Sequence, residues 1–340
     1  MLGFNKKHVI FLIVTIAIAT FISFYKLDYY IYQPGDTTSL SNVIEIEGAD
    51  SEVGRYNLVT VRGGQATPAY YIWASFQEHY DIVDLEQVRP NGISQEEYME
   101  TQLHYMENSQ EAATVVAYEA AGADITIDYN GTYVAGVLPD MPAADVIEPG
   151  DEIIAINGYD VESTEEIIER TSSYEMGDEI DVTVLRNEEE VTVSVELAPL
   201  PQEPDRPGMG VSLVTDREVT EDPEVEFNSG QIGGPSAGLM FSLAIYDQLT
   251  DGDLTNGLNI VGTGEMSYSG DVGPIGGIDK KIVAAEEDGA DIFFAPNENG
   301  QEDSNYSVAV ETAEEIDASL EVVPVDTFQD AVDYLESLDE

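Results

Sequence analysis

The sequence predicts an α+β protein held to a membrane by one N-terminal helix, and three observations predict it. His8 through Tyr25 contains no Asp, Glu, Lys or Arg and is long enough to cross a bilayer at about 1.5 Å per residue. Met106, Ala113, Val116 and Ala117 recur at helical spacing, as do Leu239, Leu243, Ile245 and Leu249. Between those stretches, Glu179–Arg186 and Glu190–Leu197 alternate as half-buried strands do.

In chain order, Lys6 and Lys7 precede the apolar run. By the positive-inside tendency the short N-terminus stays cytoplasmic and everything after about Lys26 lies outside. A cleaved signal peptide is the rival reading, with Ala17-Ile18-Ala19 as its small-residue site. That site lies inside the run, with Phe21, Ile22, Phe24 and Tyr25 still to come, so a retained single-pass anchor is preferred. Strands are expected over Asn42–Gly48 and Gly54–Arg62, then helices near Tyr70–His79 and over Ser94–Ala121. Ser94 and Glu97 have the spacing of a capping box. A region of short strands runs from Ile125 to Leu197, with a helix near Thr164–Ser172. Pro199, Pro201, Pro204 and Pro207 then mark a linker.

Composition excludes several function classes. The 340 residues carry 68 acidic against 12 basic side chains, a formal charge of -56, with an ordinary hydrophobic share of 43%. Such a chain buries real cores but repels nucleic acid. Its acidic, lysine-poor surface suits a salt-rich medium, where screening shortens mutual repulsion. With no cysteine, disulfides, zinc-thiolate sites and a cysteine nucleophile are absent. No cofactor or metal is expected, and Asp251-Gly252-Asp253 reads as a turn because the later ligands of a calcium loop are missing.

Beyond residue 26 the chain has two lysines, Lys280 and Lys281, side by side. A lysine kept where lysine is otherwise scarce can do what arginine cannot: lose its proton when desolvated and act as a general base. Ser236 follows Gly233-Gly234-Pro235 and precedes Ala237-Gly238, at the start of a helix expected over Ala237–Leu249. Amides at a helix start can hold an oxyanion, or simply an anion or a cap. For the lysine to be uncharged near neutrality its pKa must fall against the acidic field. Burial, a helix capped by Asp279 and the neighbouring cation Lys280 would drive that fall. The three histidines, His8, His79 and His104, all lie far upstream, so a Ser-His-Asp triad at Ser236 is not expected. No Walker A lysine is present, so no ATP is implied.

Residues 123–200 resemble a PDZ domain of the bacterial protease-associated type, through Asn130-Gly131, Met141-Pro142-Ala143-Ala144 and Pro149-Gly150-Asp151-Glu152-Ile153-Ile154-Ala155-Ile156-Asn157-Gly158. The resemblance implies that an extended peptide adds to a sheet edge near Tyr133–Leu138, with Asn130, Gly131, Thr132, Tyr133 and Val134 around its terminus. An occluded packing module that binds no peptide is the alternative.

From Gly208 onward the chain resembles the proteolytic domain of Lon-type serine peptidases. The resemblance rests on Gly234-Pro235-Ser236-Ala237-Gly238, Thr263-Gly264-Glu265 and Pro274 through Ala285. It implies that Ser236 is the nucleophile, Lys281 the general base and Thr263 a residue that orients the lysine, with Gly234, Pro235 and Ala237 shaping the turn. Lys280 falls on a position without a catalytic role, and Gly233 departs from the acidic residue many Lon proteins carry there. Gly54–Thr60 and Met106–Ala113 resemble the opening strand and helix of the same domain. This gives an anchor over 1–26, a first proteolytic part over 27–122, an inserted PDZ domain over 123–200 and the catalytic part over 201–340. A separate small domain over 27–122 is the competing layout. The function implied is an ATP-independent serine endopeptidase in the cell membrane, its domains extracytoplasmic and its substrates peptides or loosely folded proteins. A catalytically silent PDZ scaffold and a peptide-binding sensor are the alternatives, and an oligomer is possible.

Overall fold

The uncharged run becomes α1 (Lys6–Phe24), a helix of 19 residues with no buried side chain and a mean hydropathy of 2.1, long and apolar enough to cross a membrane. The computed structural model describes residues 6–48, 55–89, 93–201, 206–250 and 253–338. Gly54, Pro204, Asp251 and Gly252, on which parts of the expected strand, linker and turn fall, lie outside the described residues. The chain divides into two compact units, residues 1–125 with 221–340, and residues 126–220.

The first unit opens with β1 (Tyr29–Ser39), which pairs antiparallel with β2 (Tyr56–Gln65). The sequence reading assigns no element to β1; the strand runs through Pro34-Gly35 with a register shift between Pro34 and Thr37. Of the stretch Asn42–Gly48, only Ile44–Ile46 is strand. Next comes α2 (Pro68–Ala74), begun by Thr67, whose hydroxyl accepts from Tyr70 N at 3.3 Å. It ends five residues short of His79. Then β3 (Asp81–Asp84) joins the other side of β1. The expected capping box starts α3 (Gln95–Ala121): Ser94 N donates to the Glu97 carboxylate at 2.7 Å, and Glu97 N to the Ser94 hydroxyl at 3.1 Å.

The strand β4 (Asp124–Val137) carries the chain into the second unit. There β5 (Glu152–Ile156), α4 (Thr164–Ser172), β6 (Glu179–Arg186), β7 (Glu189–Glu196) and β8 (Val211–Asp222) follow, with strand order β8-β4-β5-β6-β7. Val134, Ile153, Ile180, Val182 and Val195 form its core. This unit extends about twenty residues past the expected boundary at 200. The expected linker folds back on itself, with Ala198 and Pro199 pairing with Gly208 and Pro207. The chain then folds back as β8 alongside β4, with Leu138 N donating to Gly210 O at 2.8 Å.

Back in the first unit, α5 (Gly238–Leu249), β9 (Ile260–Gly262), α6 (Ile278–Glu287), β10 (Ile292–Pro296) and β11 (Glu321–Val325) complete a sheet ordered β11-β10-β9-β2-β1-β3. It is parallel from β11 to β2 and antiparallel beyond. The two-residue period of a strand sends neighbours into different cores. Leu58, Ile260 and Phe294 join Met106, Ala113, Leu239 and Phe241 from α3 and α5. Val59, Val261 and Phe293 join Ile278 and Ile282 from α6. Helices α3 and α5 therefore cover one face of the sheet and α6 the other.

Within the first core, Asp247 is 1% exposed; its Oδ1 accepts from Leu254 N at 2.9 Å, while Oδ2 lies buried without a hydrogen-bond partner. Burial pushes this carboxyl from 3.8 up to about 6. A raised pKa means that the folded state holds the proton more tightly, so this contribution to stability is present below pH 3.8 and lost as pH rises through about 6. Two units correspond to roughly 3 kcal/mol. Asp247→Asn is therefore expected to melt above the native chain at about pH 8, with the gap closing toward about pH 4. Thermal denaturation of both proteins at the two pH values checks this; a variant less stable at both would contradict it.

Candidate active site

The turn that presents Ser236 is fixed by two residues of α3, one through its backbone carbonyl and one through its hydroxyl. Gly234 N donates to Gln102 O at 2.7 Å, and the Ser109 hydroxyl donates to Pro235 O at 2.8 Å. Gly234 has φ +92, in the region where side chains are strained. A Cβ on Gly233 would fall 2.8 Å from Gln102 Cβ and 3.1 Å from its backbone carbon. The acidic side chain expected at this position by resemblance would not fit without moving α3. The Ser236 carbonyl is also held, accepting from Gly264 N at 2.9 Å and from the Thr263 hydroxyl at 2.8 Å. Ala237 caps α5, as the apolar spacing predicts to within one residue.

Lys281 arrives from the opposite face of the sheet, in the first turns of α6. Its Nζ lies 2.7 Å from Ser236 Oγ and 2.8 Å from Thr263 Oγ1. Because the Thr263 hydroxyl gives its proton to Ser236 O, it meets the amine as an acceptor and fixes one N–H. An uncharged amine then has its lone pair available for the serine. Lys281 is 3% exposed, and burial brings its amine from 10.5 down to about 7.

Two supports expected for that shift are corrected. Gly277, not Asp279, caps α6, and Asp279 sits inside the first turn. Lys280 supplies no unpaired positive charge: it is 1% exposed and its Nζ bonds Asp81 at 2.5 Å and Asp279 at 2.8 Å. Burial pulls its amine down, but the bonds to Asp279 and Asp81 outweigh burial and hold it above 10.5. Adjacent lysines thus have opposite electrostatic fates, decided by whether a carboxylate meets the amine. Asp81 was not identifiable beforehand, being a surface-type residue 199 positions away.

A cavity of about 740 Å³ contains Ser236, Lys281, Gly234, Pro235 and Ala237 in its lining, with Leu58–Val61 of β2 along one wall. Tyr30, Tyr32, Tyr98, Met99 and Met106 give it an aromatic and apolar side. Neither His79 nor His104 lines it. Among the described residues no His/Asp/Glu group has the arrangement of a metal site.

In the second unit, Asn130, Gly131, Thr132, Tyr133 and Val134 lie on β4, which the sequence places at an open edge. The structure corrects this, because β4 has β8 on one side and β5 on the other. Thr132 and Val134 are each 1% exposed, and the Thr132 hydroxyl donates to Glu162 O at 2.9 Å. Among the described residues the outermost strand on that side is β8, tied to the start of α4 where Thr164 N donates to Thr215 Oγ1 at 2.8 Å. Its half-buried Val211, Leu213, Thr215 and Arg217 alternate with exposed residues.

Residues 214–336 match the family model of the Lon protease (S16) C-terminal proteolytic domain, and residues 106–197 that of the PDZ domain. Lon protease of Mesomycoplasma hyopneumoniae is 33% identical over 102 residues, 30% of this chain and 11% of that protein. Lon protease 2 of Bacillus subtilis is 34% identical over 115 residues, 34% of this chain and 19% of that protein. The chain thus spans between a tenth and a fifth of the length of these curated relatives. Among solved structures, the PDZ domain of the SdrC-like protein from Listeria monocytogenes is 32% identical, covering 26% of this chain and 93% of that one with a TM-score of 0.24. The architecture is a PDZ domain inserted between parts of a Lon-type proteolytic domain, with one N-terminal helix able to cross a membrane.

The contrast between the two lysines is directly measurable, since the whole chain has five. With lysine carbon-labelled next to the amine, one resonance is expected to titrate near pH 7 and to vanish in Lys281→Ala, while another titrates above 10.5. If the Lys281 resonance titrates near 10.5 instead, burial does not hold its amine uncharged.

Proposed function

We propose that this chain is a membrane-anchored, ATP-independent serine endopeptidase in which Ser236 is the nucleophile and Lys281 the general base. The observation that carries the reading is the 2.7 Å approach of a buried lysine amine, depressed to about 7, to Ser236 Oγ. The match of residues 214–336 to the Lon proteolytic domain supports a protease of that type. The uncharged amine takes the serine proton as Oγ attacks the peptide carbonyl carbon. Amides of the Ser236–Ala237 turn are the candidates to receive the developing oxyanion. The ammonium then returns the proton to the leaving amine, and a water repeats the sequence to release the acyl group. Thr263 positions Lys281 throughout.

Substrates are proposed to be extended peptides or loosely folded segments on the extracytoplasmic side, because the cleft of about 740 Å³ suits a few residues of open chain. No nucleotide-binding lysine lies within these residues to drive unfolding. In the PDZ unit, the outer edge of β8 beside α4 is the proposed place for a peptide strand, which would select or position the substrate. The acidic surface fits work in a salt-rich medium.

A serine-directed active-site probe is expected to label the native chain at Ser236. Ser236→Ala and Lys281→Ala should each lose label and peptide cleavage by roughly a thousandfold or more, as members of one unit do. Lys280→Met should keep the label below its own, lowered, melting temperature. A native chain that takes no adduct would favour the silent scaffold, and loss in Lys280→Met with retention in Lys281→Ala would reverse the assignment of the base.

A further inference from the structure

The first unit carries an apolar patch that peptide cleavage does not use. On α2 and the turn after it, Ile72, Trp73 and Phe76 are 60%, 47% and 80% exposed, and Phe76 is more exposed than any large apolar side chain of α1. The other side of α2 is also apolar, with Tyr70, Tyr71 and Ala74 packed against Leu27, Ile31 and Ala66. A short helix in water would normally turn polar residues outward. This one does not.

Its position accounts for the exposure. Helix α2 lies against α1. Leu27 N donates to Ala66 O and Ala66 N to Tyr29 O, each at 2.8 Å, so the segment that leads into α2 is laid along the residues that leave α1. The patch therefore sits at the level where the span ends. Charge agrees with this placement: 68 of 340 residues are acidic, one in five, yet none occurs from Arg55 to Gln77. Carboxylates resume at Glu78, and Asp36, Arg62 and Glu78 border the same groove as Phe76. Those charges restrict the patch to shallow depth, where Trp and Tyr are favoured because one end of the ring is apolar and the other wet.

We infer that Ile72, Trp73 and Phe76 dip into the headgroup–acyl boundary of the bilayer that α1 spans, giving the first unit a second attachment. The inference rests on α1 being a membrane anchor. A single helix leaves the body it carries able to swivel, whereas two attachments fix its tilt. Strand β1 runs from this junction to Tyr30 and Tyr32 in the cleft wall. At about 3.3 Å per residue, Tyr32 lies within roughly 17 Å of Leu27. The cleft is thereby held facing chain segments presented close to the membrane surface.

Trp73 is the single tryptophan of the chain, so its emission reports on this patch alone. The full chain is reconstituted in vesicles of phosphatidylcholine and phosphatidylglycerol, and co-flotation is scored first. A chain that does not float overturns the anchor and the inference together. In the floated protein, Trp73 emission is expected to fall about twofold with phosphatidylcholine brominated near the headgroup end of its acyl chain, less with lipid brominated near the tail end, and little with acrylamide. Strong quenching by acrylamide and none by brominated lipid overturns the inference while the anchor stands. Protection from acrylamide without lipid quenching, lost when the chain is diluted among vesicles, makes the patch a contact between two copies and also overturns it.

Discussion

A lysine amine carried out of water loses hydration that only a close carboxylate could largely restore, and at Lys281 the polar neighbours among the described residues are two hydroxyls. The cost can be placed on the pH scale. Its folded pKa of about 7 lies below the ordinary 10.5, so between those values the unfolded chain binds more protons and stability rises with pH. Below about pH 7 the full cost is present, on the order of 5 kcal/mol. That equals the gain from burying two or three large apolar side chains at roughly 2 kcal/mol each. The cores on both faces of the sheet make the cost tolerable, and Lys280 beside it shows the arrangement that would have avoided it.

The sheet also decides why a serine and a lysine from different faces can meet. Ser236 stands before α5 in the layer of the first core, and Lys281 stands on α6 in the layer of the second. Thr263 lies just beyond the carboxyl end of β9, whose neighbours on both sides run parallel to it. Crevices outside the carboxyl ends of parallel strands are where such sheets place ligands. Here the strand end supplies the hydroxyl that links both partners, donating to Ser236 O while facing Lys281 Nζ. The inserted unit can lie between these parts because its entering and leaving strands, β4 and β8, are neighbours in one sheet.

Sequence reading succeeded where the determining physics is local. The capping box at Ser94 and Glu97, the helix Thr164–Ser172 and the strand Glu179–Arg186 depend on side-chain spacing and near neighbours, and they form as expected. Scarcity of lysine singled out only the adjacent pair Lys280 and Lys281; the choice of Lys281, with Ser236 as its partner, came from the resemblance to Lon-type peptidases. What stayed hidden depends on distant parts. Strand β1, which contains Pro34-Gly35, is set by β2 and β3 pairing on both of its sides. Tyr133 through Leu138 looks like an edge until β8 returns some eighty residues later to cover it. Asp279 looks like a cap until Asp81 draws Lys280 inward and the two carboxylates share that amine.

The central claim is that burial, unaided by Lys280, keeps the Lys281 amine available as a base near neutral pH. The most direct test is the pH dependence of kcat/KM for one unstructured peptide, which reports the ionisation of the uncomplexed enzyme. The account requires the rate to rise about tenfold per pH unit on the acidic side and to level off near pH 7. A rise that levels only near pH 10.5, the value of an ordinary lysine, or no dependence at all across that range, would contradict it.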